Sequence, residues 1–185
     1  MNKLVPLIVF FVIGFFLFLS LNSDPNKLPS PLVGKKFPVI EGVDFYTNEN
    51  IKLNDLINNQ FALVNVWASW CVTCRKEHQM IMNIAENNQI KLIGINYKDT
   101  RIEGEEYLKV MGNPFDEILF DPKGQIGMEL GVYATPETFL ISKEGLILHK
   151  HIGELSKNPL NHHNSTIYFI LSIRNTSTDQ IIFRT

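Results

Sequence analysis

The pattern of hydrophobic and polar positions predicts strands and helices that alternate through the middle of the chain. Residues 61–67 form an apolar run that only Asn65 interrupts, which is typical of a central strand buried on both faces. From Cys71 onward the apolar residues recur at helical spacing, and the polar segment 86–89 ends this predicted helix. Residues 90–96 then form a second apolar run of strand length.

The segments on either side continue this alternation. Weak alternation in 35–53 predicts short strands, and Asn54 is the expected N-cap of one helical turn. After the second apolar run we predict a helix at 100–112, a strand at 118–120, a turn at 121–124, a short helix at 125–130, and a hairpin of strands 138–142 and 146–152. These elements predict an α/β fold with helices on the faces of a mixed sheet.

The N-terminus is a separate apolar segment. It is apolar from Leu4 to Leu19, which approaches the length needed to span a bilayer. No Ala-x-Ala-like site follows, so we expect an uncleaved anchor at 1–21, with a cleaved signal sequence as the alternative. Lys3 and the free amino group favour an N-terminus on the cytoplasmic side, which leaves the rest of the chain outside the cytoplasm.

The expected domain organisation follows from these segments. Three prolines in 22–32 indicate an extended linker after the anchor. The folded domain is expected at 33–155. A polar and β-branched C-terminal segment, 156–185, shows no helical stripe and follows it.

Composition narrows the function classes. The 185 residues are 45% hydrophobic and 19% charged, which is enough for one domain with a real core. The net charge of -2 predicts no broad basic surface for nucleic acid or an anionic membrane. A core of this size does not need cysteines to hold it together. The two cysteines of the chain, two residues apart, therefore favour chemistry over scaffolding.

The segment "WASWCVTC" places both cysteines at the start of the predicted helix. Cys71 is expected at the helix N-terminus, where unpaired amides and the helix dipole stabilise a thiolate. Cys74 lies one turn further along, on the same face and more shielded. We therefore predict that Cys71 attacks a substrate disulfide and that Cys74 resolves the mixed disulfide.

Two other uses of the cysteines remain open at this stage. A structural disulfide is one, although such a short loop stabilises the fold little. A zinc site is the other, and it needs two histidines beside the cysteines. His78 lies on the correct helical face, whereas the remaining histidines, at 149, 151, 162 and 163, are far away in sequence.

The sequence around the cysteines resembles that of thioredoxin-like proteins. "VNVWASWCVTC" resembles their active-site segment, and "GVYATPETF" resembles their second signature. The resemblance implies a thioredoxin-like fold, and it implies that Pro136 is a cis-proline packed against the cysteines. It also implies that the backbone of Thr135 holds an extended substrate strand. An ordinary trans turn is the alternative.

Four motifs narrow the resemblance to one group. "NVWASWCVTCRKEH", "GINYKD", "GVYATPETFLI" and "HKHIGEL" resemble the DsbE/CcmG group of membrane-anchored thiol:disulfide interchange proteins. The resemblance covers residues 31–155. It implies a periplasmic domain on an inner-membrane anchor, whose Cys71–Cys74 pair is the redox centre without a bound cofactor. It further implies three kinds of partner: apocytochrome c, whose CxxCH disulfide is reduced before haem attachment; a thiol transporter of the DsbD or CcdA kind; and other cytochrome c maturation components.

The resemblance also suggests residues that tune the redox centre. Asn65 stands where general thioredoxins carry a buried acid. Glu77 and Glu137 match two glutamates of the group's acidic active site, although a solvated surface charge is the alternative for each. Trp70 is expected to line the exposed side of the nucleophile.

Two departures from the group are visible. Val72 stands where the group commonly has proline, which leaves the chemistry possible. The group ends in a long amphipathic helix, whereas 156–185 lacks a helical pattern.

Overall fold

The architecture comes from a computed structural model that describes residues 4–21, 31–57, 59–86 and 90–155. The chain divides into two units, Met1–Ser30 and Pro31–Thr185. The C-terminal segment 156–185 lies outside the described residues, so the expectation about its structure stays a prediction.

The first unit contains one helix, α1 (Val5–Leu21), among its described residues. Its residues are almost all apolar, and the described side chains of this helix are exposed. Across the described residues, no helix combines the length and hydrophobicity needed to cross a membrane.

In the described part of the second unit, seven strands form one sheet. They are β1 (Glu41–Asp44), β2 (Asn50–Lys52), β3 (Phe61–Trp67), β4 (Ile90–Tyr97), β5 (Glu117–Asp121), β6 (Glu137–Ile141) and β7 (Ile147–Ile152). Their order in the sheet is β2-β1-β5-β4-β3-β6-β7. The pairs β3–β4 and β4–β5 are parallel, and the other pairs are antiparallel, so the predicted mixed sheet is confirmed.

Helices connect the parallel strands, as parallel pairing requires. The described helices of this unit are α2 (Leu53–Leu56), α3 (Val72–Ala85), α4 (Arg101–Met111) and α5 (Gln125–Glu129). The helix α3 joins β3 to β4, and α4 joins β4 to β5. The predicted elements from residue 61 onward are all present, with ends displaced by a few residues at most.

The predicted role of Asn54 as an N-cap is wrong. Lys52 occupies that position, and its side chain makes no capping hydrogen bond. The Asn54 amide instead accepts from the Ile40 N–H at 3.1 Å and donates to the Phe37 carbonyl at 3.3 Å. Asn54 therefore ties α2 to the segment before β1 through contacts that sequence spacing does not reveal.

The sheet separates the core into two layers, and the side chains of β3 alternate between them. Asn65 and Trp67 face the layer that contains both cysteines and α3, whereas Val64 and Val66 face the other layer. The Trp67 ring stacks on Tyr107 and Phe115, with centroids 5.2 and 5.7 Å away. This packing fixes the end of β3 from which the cysteine segment departs.

Candidate functional site

The cysteines lie where the carboxyl end of β3 turns into α3. Cys71 is the N-cap of α3, and its sulfur accepts a hydrogen bond from the Cys74 N–H at 3.0 Å. The two residues form a disulfide with an S–S distance of 2.07 Å. Both cysteines are buried in this oxidised form, with exposed fractions of 4% for Cys71 and 2% for Cys74. Cys74 is therefore only slightly more shielded than Cys71. A thiolate on Cys71 would be stabilised by the amides of the first helical turn.

Asp99 holds the turn that leads into Cys71. Its carboxylate accepts from the Ser69 N–H at 2.6 Å and from the Ser69 hydroxyl at 2.7 Å. Asn96 donates to the same carboxylate at 2.9 Å, and the Trp70 indole donates to the Lys98 carbonyl at 3.0 Å. The carboxyl end of β4 thus positions the turn after β3, because adjacent parallel strands end at the same edge of the sheet.

A buried polar network lies behind the cysteines, on the same face of β3. The Asn65 amide donates to Glu77 Oε1 at 2.9 Å and to the Thr138 hydroxyl at 3.0 Å. The Leu155 N–H donates to Glu77 Oε2 at 2.9 Å. Glu77 is 2% exposed, so the solvated-surface alternative for this residue is wrong.

Burial sets the protonation of Glu77. Desolvation raises the pKa of its carboxyl to about 7. The hydrogen bonds from Leu155 and Asn65 oppose this shift, and the nearby Glu154 carboxylate adds to it. Glu77 follows Cys74 by one helical turn, on the same face. A carboxyl with a pKa near neutral pH therefore lies one helical turn after Cys74.

His78 is held by protein partners at both ring nitrogens. Its Nε2 lies 3.1 Å from the Gly112 carbonyl, which only accepts, so Nε2 donates there. Its Nδ1 then accepts from the Tyr107 hydroxyl at 2.9 Å. Burial lowers the pKa of His78 and raises that of Tyr107 to about 12. Among the described residues no cluster of three or more His, Cys, Asp or Glu side chains could hold a metal ion.

The second signature lies at the start of β6, beside β3. The Thr135–Pro136 peptide bond is cis, as the resemblance implies. Glu137 pairs with Val66 in the antiparallel register, which brings Pro136 level with the end of β3. The Pro136 carbonyl accepts from the Gly153 N–H at 2.8 Å. Thr135 is partly exposed, so its backbone borders the surface next to the cysteine segment.

The structure places Glu137 elsewhere than beside the cysteines. It shares a face with Phe139, in the layer opposite Asn65 and α3. It is fully buried, so the solvated-surface alternative is wrong for this residue too. Its Oε1 accepts from the Tyr133 and Ala134 N–H groups at 3.1 and 3.2 Å, and its Oε2 lies 2.8 Å from Lys150 Nζ.

Apolar side chains are exposed around the disulfide. Trp70 is 56% exposed, and Val72 and Tyr133 are exposed to a similar degree. Arg75 is also exposed, and its guanidinium donates to the Ser69 carbonyl at 2.9 Å.

Several residues of the site were missed or misjudged from sequence. Asp99 and Ser69 had a usable signal, because both lie in motifs that carry the resemblance, "GINYKD" and "NVWASWCVTCRKEH". His78 was considered only as a metal ligand, and neither Tyr107 nor Lys150 was assigned a role. Their contacts join segments far apart in sequence, which spacing alone does not predict.

The sheet order, the cysteine pair at a helix N-terminus and the cis-proline at the start of the neighbouring strand β6 define a thioredoxin-like redox protein. A Redoxin family model matches residues 32–166. The DsbE of Allochromatium vinosum, a thiol:disulfide interchange protein, is 42% identical over 154 residues, covering 83% of this chain and 85% of that protein. The Escherichia coli K12 DsbE is 40% identical over 160 residues, covering 83% and 85%.

A solved structure supports the fold independently. The thioredoxin domain of a thiol-disulfide oxidoreductase from Bacteroides vulgatus aligns with a TM-score of 0.58 at 19% identity, covering 75% of this chain and 97% of that domain. The chain belongs to the Redoxin family and, by its curated relatives, to the DsbE-type thiol:disulfide interchange proteins. It is a thiol:disulfide oxidoreductase.

Proposed function

We propose that this oxidoreductase is a reductant that opens the CxxCH disulfide of apocytochrome c before haem is attached. The observation that carries the proposal is Glu77, a buried acid behind a cysteine pair that lacks an intervening histidine or cation. This environment favours loss of electrons from the dithiol, because a nearby carboxylate disfavours a thiolate. The resemblance of the four motifs to the DsbE/CcmG group implies the same direction.

The reduction proceeds by two exchanges of a disulfide. The Cys71 thiolate attacks one substrate sulfur, the substrate S–S bond breaks, and the released substrate thiolate takes a proton. Cys74 then loses its proton, for which the Glu77 carboxylate is the acceptor one turn away, and attacks Cys71. The Cys71–Cys74 disulfide forms as the second substrate thiolate leaves and is protonated. Two electrons pass to the substrate.

Substrate binding is assigned to the cis-proline loop and the apolar surface. An extended peptide pairs with the backbone of Thr135, next to Pro136, and Trp70 and Tyr133 contact its side chains. Glu137 contributes by holding this loop. The redox centre needs no bound cofactor, since the cysteines carry both electrons.

The cellular setting is proposed on the same basis. The apolar segment 1–21 anchors the protein in the bacterial inner membrane, 22–32 is the linker, and the redox domain at 33–155 lies in the periplasm, followed by 156–185. A thiol transporter of the DsbD or CcdA kind re-reduces the protein, and other cytochrome c maturation components bind it. Nucleic acid does not bind it.

A topology reporter fused after Thr185 tests this orientation. It should be active outside the cytoplasm, and cytoplasmic activity would refute the orientation.

Trapping tests the substrate. Reduced Cys74→Ser cannot resolve the mixed disulfide, so it should accumulate a covalent adduct between Cys71 and an oxidised CxxCH peptide, visible by mass spectrometry. The wild type should reduce this peptide faster than a matched peptide with alanine in place of the histidine. Equal rates would indicate a general envelope reductant, and retention of metal dependent on both cysteines would indicate a binding module.

A further inference from the structure

A buried ion pair lies outside the redox centre, on the opposite face of the sheet. Lys150 Nζ is 2.8 Å from Glu137 Oε2, and the two side chains are 3% and 0% exposed. The Lys150 ammonium also lies over the rings of Tyr133 and Phe139, 5.2 and 5.1 Å from their centroids. By contrast, the Lys52–Glu41 pair is 57% and 68% exposed.

Among the described residues, the further side-chain hydrogen bonds of this pair go to the segment that precedes the cis-proline. Glu137 Oε1 accepts from the Tyr133 and Ala134 N–H groups. Lys150 Nζ donates to the Gly131 carbonyl at 2.7 Å. The ion pair therefore holds residues 131–134, the stretch of backbone that leads directly into Thr135.

Burial of the Glu137–Lys150 ion pair costs desolvation energy, and the contacts that compensate this cost indicate the role of Lys150. Two charges removed from water are stable only when they are paired and hydrogen-bonded. A charged carboxylate accepts backbone hydrogen bonds more strongly than a neutral group does. Lys150 supplies the positive charge that compensates the buried Glu137 carboxylate, which holds the amides of Tyr133 and Ala134.

We propose that Lys150 is a positioning residue for the substrate strand, acting through Glu137 and Gly131 on the loop that presents Thr135. Lys150 pairs with Phe139, in the layer opposite the cysteines, so it acts on the loop through these contacts. This inference rests on the proposed role of Thr135 in holding an extended peptide, and it does not depend on which peptide is the physiological substrate.

The variant Lys150→Met tests the proposal in the full chain. Methionine keeps the length of the side chain but removes its charge and its donor. The half-saturating concentration of peptide disulfides should rise about tenfold, because a displaced loop no longer aligns the substrate backbone. The reaction of reduced protein with dithiodipyridine, which has no peptide backbone, should be unchanged. Lys150→Arg should restore most of the peptide affinity, and Lys52→Met is the matched control.

Peptides with and without the CxxCH motif separate this inference from the proposed function. A loss of affinity for both peptides supports the inference, even if the wild type does not prefer CxxCH. The inference is overturned if the rate with dithiodipyridine falls together with the peptide affinity. It is also overturned if the affinity for both peptides is unchanged.

A second variant covers the case in which the single change prevents folding. Lys150→Met combined with Glu137→Gln leaves no uncompensated buried charge, while the glutamine oxygen still accepts from the two amides. It lacks the bond to Gly131, so it should retain a weakened affinity for peptides and a normal rate with dithiodipyridine. Wild-type affinity in the folded double variant would contradict the proposal.

Discussion

At the scale of single residues, the two glutamates next to the signature motifs have separate tasks. Glu77 faces the cysteine layer, accepts from Asn65 and Leu155, and titrates near neutral pH. Glu137 faces the other layer and is paired with Lys150. The resemblance grouped both in one acidic active site. Strand alternation separates them, because cross-strand pairing puts Glu137 on the face of Val66.

Glu77 makes the stability of the protein depend on pH. Its pKa is raised from 4.5 to about 7 by folding, so the folded state holds the proton more tightly than the unfolded state does. The free energy of unfolding should therefore fall as pH rises from about 4.5 to 7, by up to roughly 3 kcal/mol, and then level off. Urea unfolding of the oxidised full chain in detergent, measured across this range, should show this fall.

The matched variant for this prediction is Glu77→Gln, which keeps the shape and one acceptor oxygen of the side chain. Its unfolding free energy should change less than that of the wild type between the two pH values. Parallel pH profiles for the two proteins would show that Glu77 is not the group responsible.

At the scale of secondary-structure elements, the packing of Trp67 holds the end of β3, from which the chain leads through the cysteine turn into α3. Gly94 on β4 leaves room for the indole because it has no side chain. A Cβ at this position would lie 2.8 Å from Trp67 Nε1 and 3.0 Å from Phe115 Cγ. The indole cannot move away easily, since Tyr107 and Phe115 stack on it.

Gly94→Ala should therefore lower the free energy of unfolding by about 1–3 kcal/mol, as overpacking of a core does. It should also displace the turn that carries Cys71, and so change the rate of the cysteines with dithiodipyridine. Thermal unfolding and this rate are the measurements. A stable variant with an unchanged rate would mean that the Trp67 packing does not position the cysteines.

The elements could be predicted from sequence far better than the contacts between them. Runs such as 61–67 carry their periodicity locally, so β3 and its successors were found within a few residues. The cysteine pair and the cis-proline had recognisable motifs. The roles of Asn54 and Lys150 depend on which segments become neighbours in the fold, and no local pattern encodes that.

At the scale of the whole molecule, we propose that the protein donates electrons to disulfides. No histidine or cation lies between Cys71 and Cys74, and an acid lies behind the pair. Strong oxidants of this fold class owe their potential to a stabilised thiolate in the reduced form. The environment of Cys71 provides the amides of one helix N-terminus, whereas Glu77 acts against the thiolate when ionised.

The equilibrium reduction potential of the Cys71–Cys74 pair tests this direction most directly. The full chain is equilibrated with dithiothreitol or glutathione buffers, and the reduced fraction is measured by alkylation and mass spectrometry. We expect a potential nearer that of thioredoxin, about -270 mV, than that of a strong oxidant, about -120 mV. A potential close to the oxidant value would mean that the protein inserts disulfides, and it would contradict the proposal that it reduces apocytochrome c.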